Sequence, residues 1–77
     1  MTHDMSRDTN EYTVARETLN WTHEKIGQTI GVAQRSPYRY ASGEPIPEPQ
    51  RRLLRLLVLL RLTLSEHKFE EIVDQLR

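Results

Sequence analysis

The sequence predicts an all-α protein of five short helices, and three observations carry that prediction. Apolar residues recur at three- and four-residue spacings in four stretches: Tyr12, Ala15 and Leu19; Ile26 and Ile30; Leu53, Leu57, Leu60 and Leu64; and Phe69, Ile72, Val73 and Leu76. Residues suited to helix ends, Thr22, Gly31, Gly43 and Ser65, stand at the margins of these stretches. Pro45, Pro47 and Pro49 make a stiff, extended connection before the fourth helix.

Taken in order, residues 1–8 contain nothing that could bury an apolar face, so they are expected to form a disordered tail. Asp8 or Thr9 caps a first helix that runs to about Asn20, with Glu11 in the first turn, where the helix dipole favours an acid. Thr22 caps the second helix by accepting a hydrogen bond from a free backbone N–H, and Trp21 stands where an apolar residue staples onto Ile26. Gly31 ends that helix in the left-handed conformation, with Val32 anchoring the turn.

A third helix then runs to Gly43, and Pro37 leaves its start open. Proline disrupts a helix interior but fits the first helical position. Pro37 therefore either interrupts the helix, or Ser36 and Pro37 are its cap and first residue, reached through an extended Gln34–Arg35.

Pro49 opens a fourth helix from about Gln50 to Leu64, apolar on more than one face. One stripe, Leu53, Leu57, Leu60 and Leu64, serves a single core. Leu56 and Leu59 are then either covered by the first and fifth helices or call for another surface. Ser65 caps a fifth helix whose outer face carries Glu70, Glu71 and Asp74. That helix is expected to pack on the fourth and to help form a homodimer.

Seventy-seven residues make one domain at most, with a core small enough that a partner chain is an expected source of stability. The absence of cysteine excludes disulfides and thiolate metal sites. Nothing at the start resembles a signal peptide, so the expected compartment is the cytoplasm. Arg55 and Arg61 interrupt an apolar run already too short for a membrane span. Formal net charge is zero, but it is unevenly placed. Residues 1–30 hold three cations against five carboxylates, residues 31–61 hold six arginines against two, and the last sixteen hold two cations against four. The middle segment is thus a local basic patch made of arginine, which forks onto phosphate or guanine as lysine cannot.

The segment Trp21–Pro47, two short helices joined by a glycine turn, has the layout that places one helix in a DNA groove. Residues Leu19 to Leu57 resemble the Cro/C1-type (XRE-like) helix-turn-helix family. That family's pattern has Thr-Gln at the start of its second helix, a small residue four positions after the Gln, Gly-Val or a similar pair at the turn, and an aromatic-x-x-Gly close. Here these positions read Thr22-His23, Gly27, Gly31-Val32 and Tyr40-Ala41-Ser42-Gly43, in register without a gap. The stretch GEPIPEPQRRLLRLL is similar to short phage and proteobacterial members, among them anti-CRISPR-associated autorepressors. The resemblance implies a compact five-helix, lambda repressor-like domain over residues 9–64, followed by a C-terminal dimerisation helix over residues 65–77.

Four positions depart from the pattern. His23 replaces Gln, keeping a donor but making its charge depend on pH near neutrality. Ala33 stands where a Ser or Thr cap is usual, Ala41 replaces a frequent Glu, and Pro37 lies within the third helix.

The resemblance places Gln34, Arg35 and Arg39 against base edges in the major groove. Their chemistry suits that place, because Gln pairs with adenine and Arg with guanine O6 and N7. Thr22, His23, Ser36 and Tyr38 are expected at the DNA backbone, and Arg51 and Arg52 as a phosphate clamp at the start of the fourth helix. Tyr40 occupies the family's buried aromatic position. Leu56, Leu59, Phe69, Ile72, Val73 and Leu76 are the expected dimer interface.

Catalytic readings find no support. His23-Glu24 opens a zinc-protease-like motif, but its second histidine would fall at Gly27. Neither a glycine-rich phosphate loop nor a nucleophile elbow is present. The expected function is therefore that of a homodimeric repressor on an inverted-repeat operator, with no catalysis, cofactor, metal, small-molecule ligand or membrane. Two other classes stay open: an antitoxin or adaptor binding another protein through its leucine-rich helices, and a protein inhibitor built on the same scaffold.

Overall fold

The computed structural model describes residues 10–76, which form five α-helices and no strand: α1 Glu11–Leu19, α2 His23–Ile30, α3 Ser36–Ala41, α4 Glu48–Thr63 and α5 Glu66–Leu76. The expected tail over residues 1–8 and the caps expected at Asp8 or Thr9 lie outside the described residues. The cap of α1 is Asn10, whose Oδ1 accepts from the Thr13 N–H at 2.8 Å. Its Nδ2 donates to the carbonyls of Tyr40 and Ala41 at 3.4 and 3.3 Å, tying the start of α1 to the end of α3. Asn20 ends α1 in the left-handed conformation, φ 58°, which asparagine tolerates better than most residues.

The second helix is bounded as its end residues dictate. Thr22 Oγ1 accepts from the Lys25 N–H at 3.1 Å. Gly31 adopts φ 76°, and the N–H groups of Gly31 and Val32 both reach the Gly27 carbonyl at 3.0 Å.

The third helix begins at Ser36, with Pro37 second and Arg35 as the flanking residue. Proline's missing donor thus falls in the first turn, where no acceptor awaits it. The cap lies one residue earlier than Ser36, and Gln34–Arg35 form a turn rather than an extended segment, closed by the Ser36 N–H on the Ala33 carbonyl at 3.0 Å. By the same logic α4 starts two residues before Gln50, because Pro49 is accommodated in its first turn.

The core draws on every helix: Tyr12, Ala15 and Leu19 from α1, Ile26 and Ile30 from α2, Tyr40 from α3, Leu54 and Leu57 from α4, and Phe69 and Val73 from α5, joined by Trp21. Each large apolar side chain so buried contributes about 1.5–3 kcal/mol. Phe69 and Val73 are fully buried, which corrects their expected place in a dimer interface: they lie on the face by which α5 docks onto its own chain. Trp21 stacks on Phe69 with ring centroids 5.8 Å apart. Lys25 lies 4.7 Å over the Trp21 ring and reaches Glu70 at 3.2 Å, so Glu70 faces α2 rather than only solvent.

An ion-pair seam closes α1 against α4. Glu11 accepts from Arg51 at 3.3 Å and from Arg55 at 3.1 Å, while Glu48 accepts from Arg51 at 3.1 Å and Arg52 at 3.0 Å. Among the described residues no helix is long and apolar enough to cross a membrane.

Candidate nucleic-acid interface

The outward face of α3 follows from what it buries. Pro37 and Tyr40, three residues apart, both point inward. Gln34, Arg35, Tyr38 and Arg39 are left exposed together. Arg35, Tyr38 and Arg39 line one open depression with Ser42 and Glu44. Gln34 lies on the adjoining cleft with His23, Glu24, Gly27, Gln28 and Val32. The three residues expected to read bases are therefore all on the surface, two of them in one depression.

His23 lines the cleft with Gln34 and packs against Tyr38, which lines the other hollow. Its ring is 4.5 Å from that of Tyr38 and stacks nearly parallel on Tyr12 at 5.6 Å. Its Nδ1 is 2.6 Å from the Tyr12 hydroxyl, and Tyr12 in turn meets Tyr40 edge-on at 5.9 Å. Burial, and then the positive charge of Arg16, hold the imidazole below its ordinary 6.5, which favours the neutral form at neutral pH. Burial pushes the Tyr12 hydroxyl up to about 12, against the pull of Arg16.

The arginine patch divides in two. Arg51, Arg52 and Arg55 are paired with Glu11 and Glu48, whereas Arg35, Arg39 and Arg61 have no carboxylate partner among the described residues, Arg61 lining a different hollow with Glu66 and Glu70. Hydrogen bonds from Arg51 and then Arg52 hold the Glu48 carboxyl below its ordinary value. Arg51 is held by two carboxylates and Arg52 by one, with 78% of the Arg52 side chain exposed. Exposed pairs of this kind are weak, so Arg52 is the freer of the two to exchange Glu48 for a phosphate. Thr22 is exposed but uses its oxygen as the α2 cap, and Ser36 is half-buried. Both hydroxyls retain a proton to donate.

Among the described residues Leu56, Leu59, Ile72 and Leu76 remain exposed, and Leu62 is the most open of the large apolar residues, at 71%. Helices α1 and α5 therefore leave the excess leucines of α4 uncovered.

The sequence reading placed Tyr12 only in the core and assigned no role to Arg16. Here Arg16 acts on both Tyr12 and His23, and its Nε is buried with no hydrogen-bond partner among the described residues. The spacing of Tyr12 and Arg16 puts them on one face of α1, but their meeting with His23 is tertiary and leaves no local signal.

Comparison with known proteins matches the chain to no family model, to no curated protein and to no solved structure.

Proposed function

We propose that the chain is a sequence-specific DNA-binding transcriptional repressor of the Cro/C1 helix-turn-helix type, with α3 as the recognition helix and α2 as its brace. The observation that carries this reading is the sorting of residues 34–40. Pro37 and Tyr40 anchor the segment, while Gln34, Arg35, Tyr38 and Arg39 stand out with both guanidiniums unpaired among the described residues. Gln and Arg are the side chains whose paired donors and acceptors match adenine and guanine in the major groove, each good pair being worth roughly 1–3 kcal/mol of discrimination. Thr22, His23, Ser36, Tyr38 and Arg52 fix the register through phosphates, with Arg51 a secondary contact because it already serves Glu11 and Glu48.

A reading head of six helical residues is about 9 Å long, too short for selectivity by itself. A second copy supplies the rest, joined through Leu56, Leu59 and Leu62 on α4 with Ile72 and Leu76 on α5. The operator is then an inverted repeat with half-sites about 34 Å apart, and repression follows from occupying a promoter in the cytoplasm. Regulation in this reading depends on protein concentration, as in autorepression, and no catalysis is involved.

Site selection from randomised duplexes tests the reading: a two-fold symmetric motif supports it, and no enriched sequence opposes it. A second reading is favoured by the same exposed leucines, which suit a different protein as partner. Sedimentation of the purified chain separates the two, since a self-associating dimer leaves no free leucine face for an adaptor role.

A further inference from the structure

We propose that Tyr12 is a positioning residue for DNA-backbone recognition: its hydroxyl donates to His23 Nδ1, fixes the neutral imidazole with its proton on Nε2, and presents that N–H to a phosphate. The inference rests on the reading of the α2–α3 surface as a DNA-binding face.

The direction of the 2.6 Å hydrogen bond follows from the inventory of donors and acceptors. Tyr12 is 1% exposed, and a buried hydroxyl proton without an acceptor is costly. If Nδ1 carried the proton and donated to the tyrosine oxygen, the hydroxyl proton would need another acceptor. Among the described residues the Tyr12 hydroxyl has none but His23. Donation from Tyr12 to a bare Nδ1 satisfies both groups and leaves the ring proton on Nε2. The charged and titratable groups facing His23 agree. Arg16 and Tyr12 come from α1 and Tyr38 from α3, while Glu24, its neighbour on α2, lines the same cleft. The Arg16 guanidinium opposes an imidazolium, and the neutral phenol of Tyr12 supplies no compensating charge.

The ring is also fixed in orientation, stacked on Tyr12 and tilted against Tyr38. Nε2 has no hydrogen-bond partner among the described residues, and the ring opens onto the cleft that holds Gln34. His23 thus acts as an uncharged N–H donor, the role a glutamine amide plays, rather than as a titrating cation.

The test is nitrogen-15 NMR of the His23 ring in the full free chain between about pH 6.5 and 8, alongside DNA binding by the same variants. The expected result is a wild-type ring protonated on Nε2 alone, which becomes a mixture of the two neutral tautomers in Tyr12→Phe. Affinity for the selected duplex falls roughly three- to tenfold in Tyr12→Phe and in His23→Ala, whereas His23→Gln stays within about twofold of wild type, and base preference is unchanged throughout. A wild-type ring protonated on Nδ1, a mixed tautomer, or His23→Gln binding as poorly as His23→Ala overturns the proposal. If Tyr12→Phe does not fold, the wild-type spectrum and the two His23 variants decide. If the wild type binds no duplex, the DNA reading fails and the phosphate contact falls with it, whereas the ring spectrum still reads the Tyr12 lock separately.

Discussion

A Cβ built on Gly27 would lie 3.0 Å from Cγ of Pro37, so α2 and α3 approach as closely as the absence of a side chain at that position allows. Pro37 is fully buried there, on the segment that exposes Gln34, Arg35 and Arg39. Gly27→Val should cost about 1–3 kcal/mol of stability through overpacking. It should also weaken binding to the selected operator more than to random duplex, because the reading side chains are displaced. Thermal melts and gel shifts on both duplexes check this.

Reading and clamping should separate by mutation. Arg35→Ala or Arg39→Ala is expected to lose roughly 1–3 kcal/mol of discrimination at one base pair per half-site. Arg52→Ala should weaken binding to all sequences alike and reduce the salt slope by about 1. Titrations against matched and mismatched duplexes at several salt concentrations distinguish the two patterns.

Two apolar residues formerly expected in one interface should behave oppositely. Leu59 is 55% exposed, so Leu59→Glu should yield a monomer with unchanged helix content. Phe69 is fully buried beneath Trp21, so Phe69→Ala should cost about 3–5 kcal/mol and lower the melting temperature. Sedimentation velocity and circular dichroism measure the two effects.

The His23–Tyr12 pair carries a pH signature in folding itself. His23 binds a proton less readily folded than unfolded, so its contribution is fully present above the unfolded value of 6.5 and is lost as pH falls through the lower folded value. His23→Gln should therefore lose less stability than wild type between about pH 7 and about pH 5. Tyr12 titrates in the other direction: its contribution is present below 10.0 and is lost as pH rises toward about 12, a loss that Tyr12→Phe should remove. Urea unfolding across both ranges gives the slopes.

Local chemistry made much of the fold legible. The Thr22 and Ser65 caps, the left-handed Gly31 and the Tyr12–Ala15–Leu19 stripe depend on residues within one helical turn of each other, and all occur as read. Boundaries slipped where proline was involved: both α3 and α4 carry one in the first turn, so each helix extends to the N-terminal side of its proline.

What periodicity could not convey was which face of a helix meets which neighbour. Phe69, Ile72, Val73 and Leu76 share one repeat, yet only Phe69 and Val73 are drawn into the core. Of the candidate site, the outward positions of Gln34, Arg35 and Arg39 were implied by the family resemblance, and all three are exposed. The pairing of Arg51 and Arg55 with Glu11 was not legible, since Glu11 lies on another helix, whereas Glu48 meets Arg51 and Arg52 at local three- and four-residue spacings. The Tyr12–His23 hydrogen bond, eleven positions apart in the chain, was hidden for the same reason.

The most direct test of the central claim is selection of binding sites from randomised double-stranded DNA by the wild-type chain and by the Arg35→Ala, Arg39→Ala double variant. The account predicts a two-fold symmetric motif, half-sites about 34 Å apart, and loss of base preference at matching positions in both halves for the variant. Enrichment of no sequence by the wild type, or the same motif from the variant, would contradict it.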